Sequence, residues 1–469
     1  MRSLLRSRRG SVAFATVIAL IPLIGVVALG GEAGSWYVTR QHAQNAADAA
    51  AYSGAMQQLC LSNAPCAVTQ TVDYRAKQSA AQNGFCNASA TSYPGSQCST
   101  SLPTGVSQTV TITPLASWNG TAGTFVQATA SQQQPAYLAQ VLGLSTVNIG
   151  ATAVAAVQSL AAPACVLALT GSISFQGSPN INAPNCGMAS NDTAKDAINF
   201  TGGGTTMNLG SLSTVGGCTG STTFCNKTLT YMPAPTVDPF SALDGALTTL
   251  CGASPTLPAK CGLPTCSGSK LVAYSATSSP PFCTNSDLHI TGNGTETLSP
   301  GGNTGCPTSA SSCIYFISGT LRITGTPIIS GTATFIMLPG ATINNQGNAA
   351  ITITGPTSTS SISVPAALQP NAALFQYMAL YAAPCPACSA PLNNMTFGGN
   401  TNITLNGNIY APTENVTFQG NPTITVGGAG GGCGQLVAAS IAFNGNATFN
   451  NNQCGTTSVR QSKYVQLVQ

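Results

Sequence analysis

The chain has 469 residues, of which only 5% are charged. An ordinary soluble domain carries about 25%, so exposed helices laced with ion pairs are excluded as its main material. The formal net charge of +4 comes from Arg2, Arg6, Arg8 and Arg9; beyond them acids and bases balance. A phosphate backbone needs a basic patch. None follows, so no nucleic-acid partner is expected.

The first element is an anchor. Behind the basic start, Ser11–Gly31 runs 21 residues without a charge, and a helix of that length spans roughly 31 Å, the thickness of a bilayer core. Basic residues stay on the cytoplasmic side. The chain therefore reads as a single-pass protein of the cytoplasmic (inner) membrane. Its N-terminus lies inside and its bulk is periplasmic or extracellular, with membrane lipid as one partner. A cleaved signal peptide is the alternative, but its apolar region usually has about 7–15 residues. Pro22 is expected to kink the helix at most. Glu32 marks the outer boundary, free for an assembly partner or simply solvated among headgroups. From Trp36 to Ser53 no Gly or Pro interrupts helical spacing, so the helix is expected to continue outside.

The stretch RRGSVAFATVIALIPLIGVVALGGEAGSWYVTRQHAQNAADAAAYSGA resembles the N-terminus of TadG-like proteins of the tight-adherence (Flp) pilus system. Arg8, Arg9, Gly10, Tyr37, Arg40, Gln44, Ala46, Ala47, Asp48, Ala49 and Ala50 carry the resemblance. It implies a role in pilus assembly and surface attachment, with other pilus-assembly or pilin-like membrane proteins as partners. The fifth residue from Gly10 is Ala15, where processed pilins of that system carry Glu. The resemblance thus implies an anchored assembly component and not a shaft subunit.

Next comes a second helix over Ala64–Phe85, stopped by Asn83-Gly84. Alternating TVTIT (109–113) and TFVQATA (124–130) predict strands. A short helix over Pro135–Leu144 and a strand from Val147 complete a pilin-like α+β domain over 32–162, after the tail and membrane helix of 1–31.

From 163 onward one phrase recurs: TFGGNTNITL at Thr396, TFQGNPTITV at Thr417, AFNGNATFNN at Ala442 and SFQGSPNINA at Ser174. Phe397 to Phe418 is 21 residues; Phe418 to Phe443 and Phe175 to Phe200 are each 25. A period in the twenties predicts stacked coils sharing a column of Phe, Ile, Val and Leu. Gly supplies a corner with positive φ, and Asn ladders to its counterpart on the next coil. The expected fold class is mainly β: the transmembrane helix and α+β domain, then a right-handed parallel β-helix (β-solenoid) over 163–469. A Cys/Pro-rich insertion is expected at about 250–287.

All 18 cysteines follow the anchor, and disulfides persist outside the cytosol. Proximity suggests the pairs Cys60/Cys66, Cys86/Cys98, Cys165/Cys186, Cys218/Cys225, Cys306/Cys313 and Cys433/Cys454, although connectivity does not follow from sequence. Cys385 and Cys388 form a C-x-x-C between prolines, read as a staple. Catalysis finds little material, and no cofactor, metal site or catalytic residue is expected. His42 and His289 are the only histidines, too few for a His-based metal set or triad. Among the later acids Asp192 and Asp196 are close, beside Lys195 in a polar turn. Two rivals to the pilus reading remain. One is a β-helix carbohydrate-active enzyme. The other is an adhesin binding surface glycans, with Tyr381 and Tyr410 as stacking platforms or as ordinary core.

Overall fold

The computed structural model describes residues 8–469 apart from 63–69, 88–89, 99–101, 161, 228, 233, 246, 248–262, 267–270, 276–282, 287, 303–305, 309–311, 358–363, 385–393, 428–433 and 452–462. The described chain is mainly β behind an N-terminal helix, and it divides into two compact units, Met1–Gln158 with Val465–Gln469, and Ser159–Tyr464.

In the first unit, α1 (Arg8–Ser62) is one helix of 55 residues, continuous through Pro22. Its outer half packs through Ala43, Ala46, Ala47, Ala50, Ala51 and Ala55, all fully buried. Alanine is what lets the helix lie close. A Cβ on Gly54 would sit 2.9 Å from Val126 Cγ1 and 3.2 Å from Ala76 Cβ. The second helix, α2 (Val72–Gln82), begins later than expected because Thr71 caps it, its hydroxyl accepting from the Tyr74 amide. It ends at Asn83, with Gly84 at φ 72°. Strands β1 (Ser107–Trp118), β2 (Thr121–Pro135) and β3 (Thr146–Ser159) form an antiparallel meander. The predicted helix over Pro135–Leu144 shrinks to a 3-10 turn, Ala139–Leu142, because β2 runs on to Pro135.

One boundary needs correction. The sequence assigns everything after 162 to the last domain, but strand Lys463–Leu467 joins the first unit's sheet beside β3. Val154 donates to the Gln469 carbonyl, and Val468 donates back to the Val154 carbonyl. An unpaired sheet edge accepts any strand that satisfies its donors, and no composition signal marks that choice.

The second unit consists of parallel ladders. Phe397 pairs in register with Phe418, Phe418 with Phe443, Phe443 with Phe175, and Phe175 with Phe200. Their rings stack at centroid distances of 5.6, 5.3, 5.5 and 4.8 Å. Beside them Ile351, Ile403, Ile424, Phe449, Ile181 and Met207 form a second in-register column. The asparagines ladder outside: Asn421 Nδ2 donates to Asn400 Oδ1 at 3.0 Å, and Asn446 Nδ2 to Asn421 Oδ1 at 3.1 Å.

The corner glycines stack on one another. Gly399, Gly420, Gly445 and Gly177 have φ of 78°, 89°, 74° and 91°. A Cβ on Gly399 would meet the Gly347 carbonyl oxygen at 2.2 Å. Backbone cannot yield there, so Gly399→Ala is expected to cost at least about 2 kcal/mol in urea unfolding. Gly84→Ala, with the same sign of φ but open space around it, is expected to cost about 1 kcal/mol.

The order of the ladders departs from the order of the chain. Strand Leu436–Gly445 pairs on one side with Asn408–Phe418, and on the other with Ala164–Ala168 and Ile173–Gly177, the unit's first strands. The chain thus enters the stack midway. It climbs to one end at Leu229–Tyr231 and resumes at the other end with Thr284–Asn285. Between these ends, the described residues 234–245, 263–266 and 271–275 form a strap along the stack. Thr236 bonds to Asn191, the Leu243 carbonyl to Tyr381, and the Tyr274 amide to the Ile314 carbonyl. Phe240 and Leu243 of the strap, with Leu368, Leu374 and Phe375 of the 3-10 segment Ala366–Phe375, form one buried cluster with the outward side chains Leu167, Ala189, Ile314, Phe316, Ile336, Tyr381, Tyr410 and Val437. Cys313–Ile317 and Met378–Ala382 are therefore buried on both faces and lack alternation. Of the Cys/Pro-rich piece read as an insertion at about 250–287, residues 250–262, 267–270, 276–282 and 287 lie outside the described residues, and a disulfide joins Cys266 to Cys283.

Candidate functional site

Two arrangements gather functional groups, one in each unit. The first lies on α1 where the apolar span ends. Gln44 Nε2 donates to Asp48 Oδ1 at 2.7 Å, one turn along the half-buried edge of the alanine face. Tyr37 and Arg40 are exposed. Glu32, which the sequence left free or solvated, is occupied. Its Oε1 accepts from the Tyr137 amide at 2.7 Å, and its Oε2 from the amides of Leu138 and Ala139 at 3.1 and 2.8 Å. These are the unsatisfied donors opening the 3-10 turn, where a carboxylate is favourable. No sequence spacing announces a contact between residues so far apart in the chain.

The second arrangement lies under the strap. The Tyr410 hydroxyl lies 2.8 Å from Asp238 Oδ2 and also contacts Asp244 Oδ1. Asp238 Oδ1 accepts from the Phe240 amide at 2.9 Å, and the Tyr381 hydroxyl donates to the Leu243 carbonyl at 2.6 Å. The rings of Tyr381 and Tyr410 stack at 6.1 Å. Burial pushes Asp238 up to about 6, outweighing hydrogen bonds from Phe240 and Tyr410 that act the other way. Burial also raises Asp244. Both phenols are raised as well, by burial first, so they stay protonated. Buried Glu414 is pushed up to about 7 by the same cause. The two aspartates, six residues apart around the turn Ser241–Leu243, were not paired in the sequence reading because nothing there shows that the turn folds them onto one phenol.

Of the two readings of Tyr381 and Tyr410, ordinary core is the one the geometry fits: both are fully buried and offer no ring face to a sugar. Asp192 closes a local turn by accepting from the Ala194 amide at 2.9 Å. Lys195 and Asp196 are exposed beside it. His289 Nε2 lies 2.9 Å from Thr324 Oγ1. Among the described residues no group of His, Cys, Asp and Glu gathers as metal ligands. Disulfides join Cys86–Cys98, Cys165–Cys186, Cys218–Cys225 and Cys306–Cys313. Cys66, Cys433, Cys454, Cys385 and Cys388 lie outside the described residues.

The decisive likeness falls on α1. A family model described as "Putative Flp pilus-assembly TadE/G-like" matches residues 10–57. Residues 10–57 are a TadE/G-like segment. The match supports a TadG-like protein of Flp/Tad pilus assembly. It spans the part of α1 long and apolar enough to cross a membrane, together with the alanine face and the Gln44–Asp48 pair. No curated protein matches the chain. No solved structure matches it. The TadE/G-like segment and its helix fit a single-pass membrane protein.

Proposed function

We propose that this chain is a membrane-anchored structural component of tight-adherence pilus assembly or display, contributing to surface attachment. In this reading the second unit is a right-handed parallel β-solenoid acting as a scaffold and not as a catalyst. The observation that carries the reading is the coincidence of the TadE/G-like match with the membrane-length helix and its buried alanine face. That helix packs laterally with pilin-like helices in the inner membrane. The positive-inside rule supports a cytoplasmic N-terminus and an extracytoplasmic bulk. The solenoid reading is supported by in-register parallel ladders at a period in the twenties, a stacked Phe column, and corner glycines.

A second reading, a glycan-binding adhesin, draws on the outward rows. Thr352, Thr404, Thr425, Asn450, Asn182 and Asn208 follow one another in register, uncharged and rich in donors and acceptors. One experiment separates the two readings. In a strain lacking the chain, pili are counted by electron microscopy and attachment is scored in the same cells. Missing pili are the expected result. Normal pili with lost attachment would favour the adhesin, and normal pili with normal attachment would sink both.

A further inference from the structure

We propose that the loop joining β2 to β3, Ala136–Ser145, is a foot seated in the headgroup layer of the bilayer that α1 crosses. The inference rests on the reading of α1 as a membrane span. Three observations in the first unit carry it. Tyr137, Leu138 and Leu144 are 74%, 42% and 49% exposed. Just beyond Glu32 on α1, Tyr37 and Val38 are 65% and 52% exposed. Exposed large apolar side chains at one level, with an aromatic on each element, are what an aqueous surface avoids and a membrane interface collects. In addition, no charged residue lies anywhere between Lys77 and Asp192, so the loop carries no charge to keep it in bulk water.

The position is fixed by Glu32. This residue follows the uncharged run Ser11–Gly31 directly, and its carboxylate holds the amides of Tyr137, Leu138 and Ala139. The loop is therefore pinned at the level where the helix leaves the hydrocarbon.

The backbone is prepared for poor hydration. An unpaired amide in a water-depleted layer costs several kcal/mol. Here Ala136 donates to the Ser145 carbonyl, Gly143 to that of Gln140 and Leu144 to that of Ala139, while Glu32 takes the next three donors. A carboxylate at this depth is itself offset by its three N–H donors. The foot gives the first unit a second lipid contact beside the helix.

The test places a photoreactive benzophenone amino acid at single positions of the full chain in lipid nanodiscs, with lipid adducts read by mass spectrometry. Positions Leu23, Leu138, Leu144 and Thr121 are compared, the last at the far end of β2. Adducts at Leu23, Leu138 and Leu144 but not at Thr121 are expected. Adducts at Leu23 with none at Leu138 or Leu144 would overturn the foot and leave the spanning helix standing. Absence of adduct at Leu23 would overturn the spanning helix and the foot with it. Glu32→Gln, which weakens the clamp on the loop amides, is expected to reduce the adduct at Leu138 while leaving that at Leu23 unchanged. An unchanged Leu138 adduct would show that Glu32 does not hold the foot.

Discussion

Replacing Phe418 with alanine is expected to destabilise the second unit by about 3–5 kcal/mol. Phe418 is fully buried and lies between Phe397 and Phe443, with Phe449 tilted beside it. Deletion removes the ring's own transfer free energy, leaves a void the backbone ladders cannot close, and breaks two stacking contacts worth about 0.5–1.5 kcal/mol each. The loss belongs at mid-stack, where strand Asn408–Phe418 pairs with a neighbour on each side. Hydrogen exchange of the full chain should therefore show lost protection over 394–427 and 434–450. Thr417→Ala is the control. Thr417 points outward on the same strand and is half-buried, so its replacement should stay within about 0.5 kcal/mol. A Phe418→Ala loss near that of the control would mean that the aromatic column does not hold the ladders together.

The Phe column was legible in the sequence because each position in the repeat has one physical demand. An inward site must be apolar, a corner with positive φ selects Gly, and the residue after it selects a side chain that can bond its counterpart. Phe-x-Gly-Asn states all three, and the stacked rings, the corner glycines and the Asn400–Asn421–Asn446 ladder follow. The order of stacking was not legible. Phe443 and Phe175 satisfy the same demand from distant parts of the chain, and a shared demand identifies a column without saying who sits next to whom. The mid-stack entry at Ala164 and the strap are consequences of that freedom. The clasp under the strap was invisible for a related reason. Asp238 and Asp244 belong to no repeat, and only the folded strap brings them to Tyr410. At the other end of the chain, the buried alanines of Gln44–Ala55 were visible as helical spacing, but the partner of Glu32 was not.

The strap should loosen as pH rises. One phenolic proton cannot serve two carboxylates, so Tyr410 satisfies Asp238 or Asp244, and the other is most comfortable neutral. Asp238 titrates at about 6 against an ordinary 3.8. A raised carboxyl binds its proton more tightly in the folded protein. Its contribution is therefore complete below the ordinary carboxylate range and is lost as pH climbs through about 6. At 1.36 kcal/mol per pKa unit this is about 2–3 kcal/mol, with the lower figure fitting a group that is not wholly enclosed. Urea unfolding of the full chain at fixed ionic strength between pH 4 and 8 reads it directly. Glu414 contributes with the same sign around pH 7, so Glu414→Gln serves as the background for every comparison. On that background Asp238→Asn should flatten the profile by about 2 kcal/mol. A parallel profile would show that Asp238 does not carry the pH dependence. Tyr410→Phe acts in the opposite sense. The Tyr410 hydrogen bond lowers the Asp238 value, so removing the hydroxyl should move the midpoint above 6. A strap held only by the apolar contacts of Phe240 and Leu243 would respond to neither change.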